Sequence, residues 1–188
     1  VSHFFHLILP PLFPWLKDAF GLSYSELGVV VTVFFVISGI GQSLAGFLVD
    51  RIGPVPVMLG AITLFAGSAA VFAAAPGYGG LLLGAALAGV GNASFHPVDY
   101  SILNRKVSAS RLGHAYAVHG ITGNLGWAAA PVFVVTIAQV AGWREAFAGA
   151  SLVALAALAV VWLNRDALET PVHRAAGPAA AGRGAPGG

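Results

Sequence analysis

The sequence predicts an all-α membrane protein built of six transmembrane helices, and three observations carry that expectation. Hydrophobic residues make up 57% of the 188-residue chain and charged residues only 9%, about a third of the charge that solvates an ordinary soluble domain. Mean hydropathy is +0.84. The few charges are bunched, so that stretches 1–16, 27–49, 52–98, 112–143 and 146–164 contain no Asp, Glu, Lys or Arg. Runs such as 27–36 and 152–163 are apolar on nearly every face, as a lipid-embedded helix is, whereas the strands of a membrane barrel alternate over about ten residues.

A helix of about 20 residues crosses roughly 30 Å of hydrocarbon at 1.5 Å per residue. The first span is expected at about 1–20. Its uncharged part reaches only about 24 Å, and the chain opens on Val1 rather than on a methionine, so either the sequence starts inside this helix or Val1 is an unusual start. The second span, 27–49, is preceded by Ser23 and Glu26 at capping-box spacing, which gives it a helix start. The stretch 52–98 is long enough for two spans, 55–75 and 79–101, joined at the turn Pro76-Gly77-Tyr78-Gly79-Gly80. Spans at 113–140 and 145–164 complete a bundle over 1–164. Residues 165–188 are rich in Ala, Gly and Pro and read as a flexible cytoplasmic linker or tail.

Orientation follows from the cations. Arg51, Arg105, Lys106, Arg111, Arg165, Arg174 and Arg183 fall on one side of this arrangement, and only Lys17 and Arg144 on the other. Seven against two puts both chain ends in the cytoplasm, as expected for a multi-pass protein of a bacterial inner membrane.

Composition excludes several function classes. Without a single cysteine there is no disulfide framework, Cys-based zinc site, iron–sulfur cluster or cysteine nucleophile. A net charge of +2 is too small to attract nucleic acid, and the sequence pI near 9.3 reflects how few groups titrate. The opening has no basic n-region and leads straight into further spans, which disfavours a cleaved signal peptide. Gly89-Val90-Gly91 lacks the third glycine of a dinucleotide fingerprint. Neither a Gly-x-Ser-x-Gly elbow nor a His-Glu-x-x-His helix is present, so an embedded enzyme has no visible machinery. His3 and His6 share a helical face, but no Asp, Glu or Cys converges on them in the sequence, so no metal and no cofactor is expected. Asn92-Ala93-Ser94 fits a glycosylation sequon but lies inside a span. Gly80 and Gly84 form a GxxxG pair that permits close helix contact.

The segment Gly46-Phe47-Leu48-Val49-Asp50-Arg51-Ile52-Gly53, between the second and third spans, resembles the signature loop of the major facilitator superfamily. Gly142-Trp143-Arg144 is similar to another feature of that superfamily. Leu9-Pro10-Pro11-Leu12-Phe13-Pro14-Trp15-Leu16-Lys17 followed by Phe20-Gly21-Leu22-Ser23-Tyr24, together with Phe95-His96-Pro97 and Gly123-Asn124-Leu125-Gly126, resembles its fosmidomycin-resistance-like branch. The resemblance implies half of a twelve-helix transporter, with six helices arranged as two inverted three-helix repeats and a C-terminal six-helix half as partner, in the same gene or a second chain. Two departures stand out. The signature loop continues as Pro54-Val55-Pro56 instead of with basic residues, and Val98 stands where the branch carries a carboxylate, with Asp99 one place later.

The polar residues support a transport reading. Asp50 and Arg51 are either solvated interfacial charges or, with Gly46 and Gly53 in the signature loop, a cytoplasmic gate in which Asp50 accepts hydrogen bonds from a neighbouring helix N-terminus. Asp99 is either solvated at a cavity mouth or a proton carrier. His96 lies nine residues before Arg105, His119 eight after Arg111 and Gln42 eight before Asp50, each about 12–14 Å below the cytoplasmic boundary. His6, eleven residues before Lys17, reaches nearly the same level, about 13 Å from the inner face. Four ordinary interhelical hydrogen bonds would account for these residues one by one. Their shared depth favours a polar, water-accessible cavity near the midplane, with His6, Gln42, His96, Asp99 and His119 as candidates for substrate or proton binding. The resemblance adds Asn124. Imidazole titrates near working pH and suits proton coupling, which the resemblance also implies. The resemblance implies secondary active transport of a small organic solute or drug by alternating access within a lipid bilayer. The alternative is a self-contained six-span homodimeric transporter or channel.

Overall fold

The computed structural model describes residues 1–169, and among them the regular structure is entirely helical. The part of the expected tail from residue 170 onward lies outside the described residues. Five stretches are long and apolar enough to cross a membrane. They are α3 (Tyr24–Ile52), α4 (Pro54–Ala74), the joined helices α5 (Tyr78–Ala93) and α6 (Phe95–Lys106), α7 (Leu112–Val140) with the 3-10 turn before it, and α8 (Trp143–Leu163).

The opening segment departs from the continuous span expected at 1–20. It consists of α1 (Ser2–His6), a 3-10 turn at Pro10–Leu12 and α2 (Phe13–Phe20). Pro10 explains the break, because it has no N–H to return to the His6 carbonyl and its ring crowds that oxygen. Pro97 acts alike in the fourth span. α5 stops at Ala93, four residues before it, Ser94 N–H reaches back to Gly91 O at 3.4 Å, and a new helix begins at Phe95. Pro131, by contrast, is accommodated inside α7. A short α9 (Arg165–Leu168) follows the last long helix.

The helix ends are built from the residues that the sequence offers. Ser23 Oγ accepts from Glu26 N–H at 3.2 Å, while Glu26 Oε2 accepts from Ser23 N–H at 2.8 Å, a reciprocal cap at the start of α3. Gly53 joins α3 to α4 with φ 89°, a conformation that glycine adopts without strain, and Pro54 takes the first position of α4. Arg144 at the start of α8 donates to the carbonyls of Ala73 at 2.6 Å and Ala75 at 3.0 Å. It thereby satisfies orphan acceptors where α4 ends.

α5 packs against both α3 and α4 and owes its position to small residues. A Cβ at Gly89 would lie 2.8 Å from the Phe34 carbonyl oxygen, and one at Gly91 would lie 2.9 Å from that of Ala61. Glycine is what lets the backbones approach. Gly80 and Gly84 are used within the chain as well, against Ala75 and the Phe72 ring. Phe65 sits fully buried between Phe5 and Phe95, stacked on them at 4.3 and 5.1 Å. Large apolar side chains also lie on the outside of the bundle. Ile40, Phe47, Leu125 and Val132 are all exposed, as expected of side chains that face lipid.

Candidate functional site

α1 carries His3 and His6 on one face, and the bundle places α6 and α7 opposite them. His6 is the more tightly tied. Its Nδ1 receives the indole N–H of Trp127 at 3.2 Å, and its Nε2 lies 2.9 Å from Asn92 Oδ1. An indole N–H can only donate, so Nδ1 is the acceptor and Nε2–H donates to Asn92, which defines one neutral tautomer. Asn92, buried on α5, also accepts from Ser2 Oγ at 2.8 Å and donates to Ser38 Oγ at 2.7 Å. A single buried amide thus links the opening segment, α3 and α5, and through His6 it reaches α7.

His3 is the meeting point of the remaining imidazoles. Its ring centroid lies 5.6 Å from that of His6, 6.2 Å from His96 and 6.5 Å from His119. The ring packs edge-on to Trp127 at 4.6 Å and rests on Gly123, where a Cβ would lie 2.9 Å from His3 Cε1. His96 stacks on Tyr100, and its Nδ1 is buried without a hydrogen-bond partner. His119 Nε2 faces Asp99 Oδ2 at 3.7 Å, with both side chains partly shielded. An open cavity of ≈ 250 Å³ is lined by His3, Asp99, His119 and Thr122, with Met58 and Phe95 among its apolar walls.

The sequence-derived candidates therefore separate. His6, His96, Asp99 and His119 come together around His3. Gln42, half-buried on α3, and Asn124, exposed on α7, take no part in these contacts. The signature-loop residues lie apart at the α3–α4 joint. Asp50 and Arg51 are exposed, Gly46 has open space around it, Gly53 makes the turn, and no side chain caps the N-terminus of α4. No group of three or more His, Asp or Glu able to hold a metal occurs among the described residues.

Three participants, His3, Asn92 and Trp127, lie outside the candidates that the sequence offers for the cavity. Asn92 is nonetheless the one asparagine of the charge-free stretch 52–98, and an amide carried into hydrocarbon needs partners. Trp127 gives no signal in the sequence, because its role depends on the crossing of α1 and α7.

Comparison with known proteins agrees with this architecture. A family model described as Major Facilitator Superfamily matches residues 1–185. The chain is 31% identical over 153 residues to the fosmidomycin resistance protein of Escherichia coli (strain K12), a match covering 80% of this chain and 37% of that protein. It is 31% identical over 170 residues to a chloramphenicol resistance protein of Pseudomonas aeruginosa, covering 89% and 40%. Against a probable sulfoacetate transporter of Cupriavidus necator the identity is 28% over 153 residues, covering 79% and 34%. The chain thus spans well under half the length of each of these relatives.

Proposed function

Because the chain belongs to the Major Facilitator Superfamily, we propose that it is the N-terminal six-helix half of a proton-coupled secondary transporter for a small organic solute or drug. The broken opening segment counts as the first span, and the six spans form two inverted three-helix repeats. Both termini lie in the cytoplasm of a bacterial inner-membrane protein, and a second six-helix half supplies the opposite wall. Transport proceeds by rocking one half against the other around a site near the midplane.

The observation that carries this reading is the convergence of His3, His6, His96, His119 and Asp99 from α1, α6 and α7. Ionisable groups in apolar spans are costly and mark solute or proton paths. Within that cluster His6 serves structure, since both of its nitrogens are committed. Asp99 and His119 line the open cavity and form the proton-binding pair. Relatives named for fosmidomycin, chloramphenicol and sulfoacetate support small organic molecules as the cargo class, and they are the first compounds to assay. At the joint after α3, Asp50 and Arg51 act as the cytoplasmic gate.

Reconstitution tests the proposal. Liposomes holding both halves and an imposed proton gradient are expected to accumulate or expel one of these compounds, and Asp99→Asn is expected to uncouple that movement from the gradient. The chain alone encloses no cavity between halves and is expected to be inactive. Sustained uptake by the chain alone, shown to be monomeric, overturns the half-transporter reading. Uptake by a dimer of it establishes the homodimeric alternative.

A further inference from the structure

We propose that His3 is the seat of an oxyanion, the carboxylate or sulfonate of a transported solute, and that Asp99 competes with that anion until it takes up a proton. This inference rests on the transporter reading and narrows its substrate class.

The ring of His3 is held by packing and not by hydrogen bonds. Gly123 lies beneath it, where any Cβ would come 2.9 Å from Cε1, and Trp127 meets its edge at 4.6 Å. The contacts described for the His3 ring are packing contacts, whereas His6, its neighbour on the same helix, is hydrogen-bonded at both nitrogens. A ring fixed by packing on the wall of an open cavity can offer an N–H to a solute without giving up a bond to the protein. The ionisable side chains that face it are His6 on α1, His96 and Asp99 on α6, and His119 on α7. Among the described residues, no lysine or arginine lines the cavity.

That inventory selects charge sign. Imidazoles supply N–H donors and become cations on protonation, so an anion is stabilised by the rings that line the cavity, His3 and His119. A cationic solute would be repelled by the same rings once protonated, and a neutral one would gain only hydrogen bonds of about half the strength. One group opposes an anion, the carboxylate of Asp99, which pairs with His119 Nε2 at 3.7 Å. Transfer of one proton from solvent to Asp99 removes this like charge and frees the His119 N–H for the incoming oxyanion. No covalent bond to the solute forms or breaks. Anion and proton then favour each other's binding by the same factor, which is the thermodynamic core of symport.

The test uses the chain in lipid nanodiscs, with imidazole-¹⁵N-labelled histidine and sulfoacetate as the probe. Sulfoacetate is expected to shift the His3 and His119 ring signals saturably, and more tightly at low pH than at high pH. His3→Phe, which keeps a ring but has no N–H, is expected to weaken the affinity read at His119 about tenfold or more, the scale of losing a hydrogen bond to a charged group. Asp99→Asn is expected to strengthen binding severalfold and reduce its pH dependence, and the His6 signals report whether each variant is folded. Three results overturn the proposal: unchanged affinity in folded His3→Phe, weaker binding in folded Asp99→Asn, or equal His3 shifts with uncharged chloramphenicol. His3-dependent sulfoacetate binding without transport by the assembled halves leaves the site standing and removes the transporter reading. Gradient-driven chloramphenicol transport that ignores His3→Phe does the reverse.

Discussion

Trp127 and His6, 121 residues apart in the chain, share a hydrogen bond of 3.2 Å in which the indole N–H donates to the imidazole Nδ1. The bond ties α7 to α1 at the start of the broken opening segment. It also decides which nitrogen of His6 carries the proton, and so which partner that ring can serve.

The tautomer is directly measurable. Nitrogen-15 spectra of the ring are expected to show His6 protonated at Nε2 alone, and Trp127→Phe is expected to shift the Nδ1 resonance, which loses its donor, while Nε2 keeps its proton through Asn92. A His6 ring already protonated at Nδ1 in the parent chain would contradict the hydrogen-bond assignment.

Asn92 carries more of the fold than any other polar side chain described. Replacement by alanine strands Ser2, Ser38 and the Nε2–H of His6 together. Because interhelical hydrogen bonds in membranes are individually modest, the expected loss is about 1–2 kcal/mol. Unfolding in mixed micelles would read it, and stability equal to that of the parent would mean that the freed groups find new partners.

Arg144 makes a different kind of demand. Two guanidinium nitrogens reach two carbonyls at the end of α4 while the group lies 4.2 Å from the Trp143 ring centroid. Lysine has the charge but not the planar fork. Arg144→Lys is therefore expected to cost about 1 kcal/mol and Arg144→Ala more, measured as faster hydrogen exchange at the end of α4. Identical exchange in parent and lysine variant would show that the charge alone suffices.

How much of this was legible beforehand varies residue by residue. The gaps between charges located the long helices, because the hydrocarbon tolerates few charges and each gap must therefore lie inside it. Ser23 and Glu26 were legible because a capping box is local. The break after α1 was not, although Pro10 was in plain view, since depth counting treats every residue of a span as helical. Counting by depth expects His6, Gln42, His96 and His119 at one level, but level is one coordinate of three, and the break at Pro10 removes the continuous helix on which the count for His6 rests. Gln42 takes no part in the cluster, and Asn124 is exposed on α7. His3, which joins the others, lay outside the count because azimuth around the bundle depends on helix crossings that no spacing records.

Topology is testable with single cysteines, since the chain has none. Ser108 precedes the 3-10 turn that leads into α7, and Tyr78 begins α5, on opposite sides of the expected arrangement. In intact cells an impermeant thiol reagent is expected to modify Tyr78→Cys and spare Ser108→Cys. The opposite pattern would invert the orientation drawn from the cations.

Water in the cavity is the condition on which both proton coupling and anion binding depend, and three cysteine positions can separate water from lipid and from protein. The thiolate is the form that attacks a thiol reagent, and it forms only where water solvates it. Thr122 lines the open cavity, Ser38 is 4% exposed inside the bundle, and Val132 is 69% exposed on an apolar face. Exposure alone would make Thr122→Cys and Val132→Cys equally reactive. Hydration makes them differ, because a thiol in hydrocarbon stays protonated however open it is. Thr122→Cys is therefore expected to react with a small charged thiol reagent many times faster than the other two in reconstituted protein. Prior addition of sulfoacetate is expected to slow that reaction, since Thr122 shares the cavity with His3. Equal and negligible rates at Thr122 and Val132 would mean that lipid or a neighbouring helix fills the space, and the imidazole cluster would then be a packing feature and not a site.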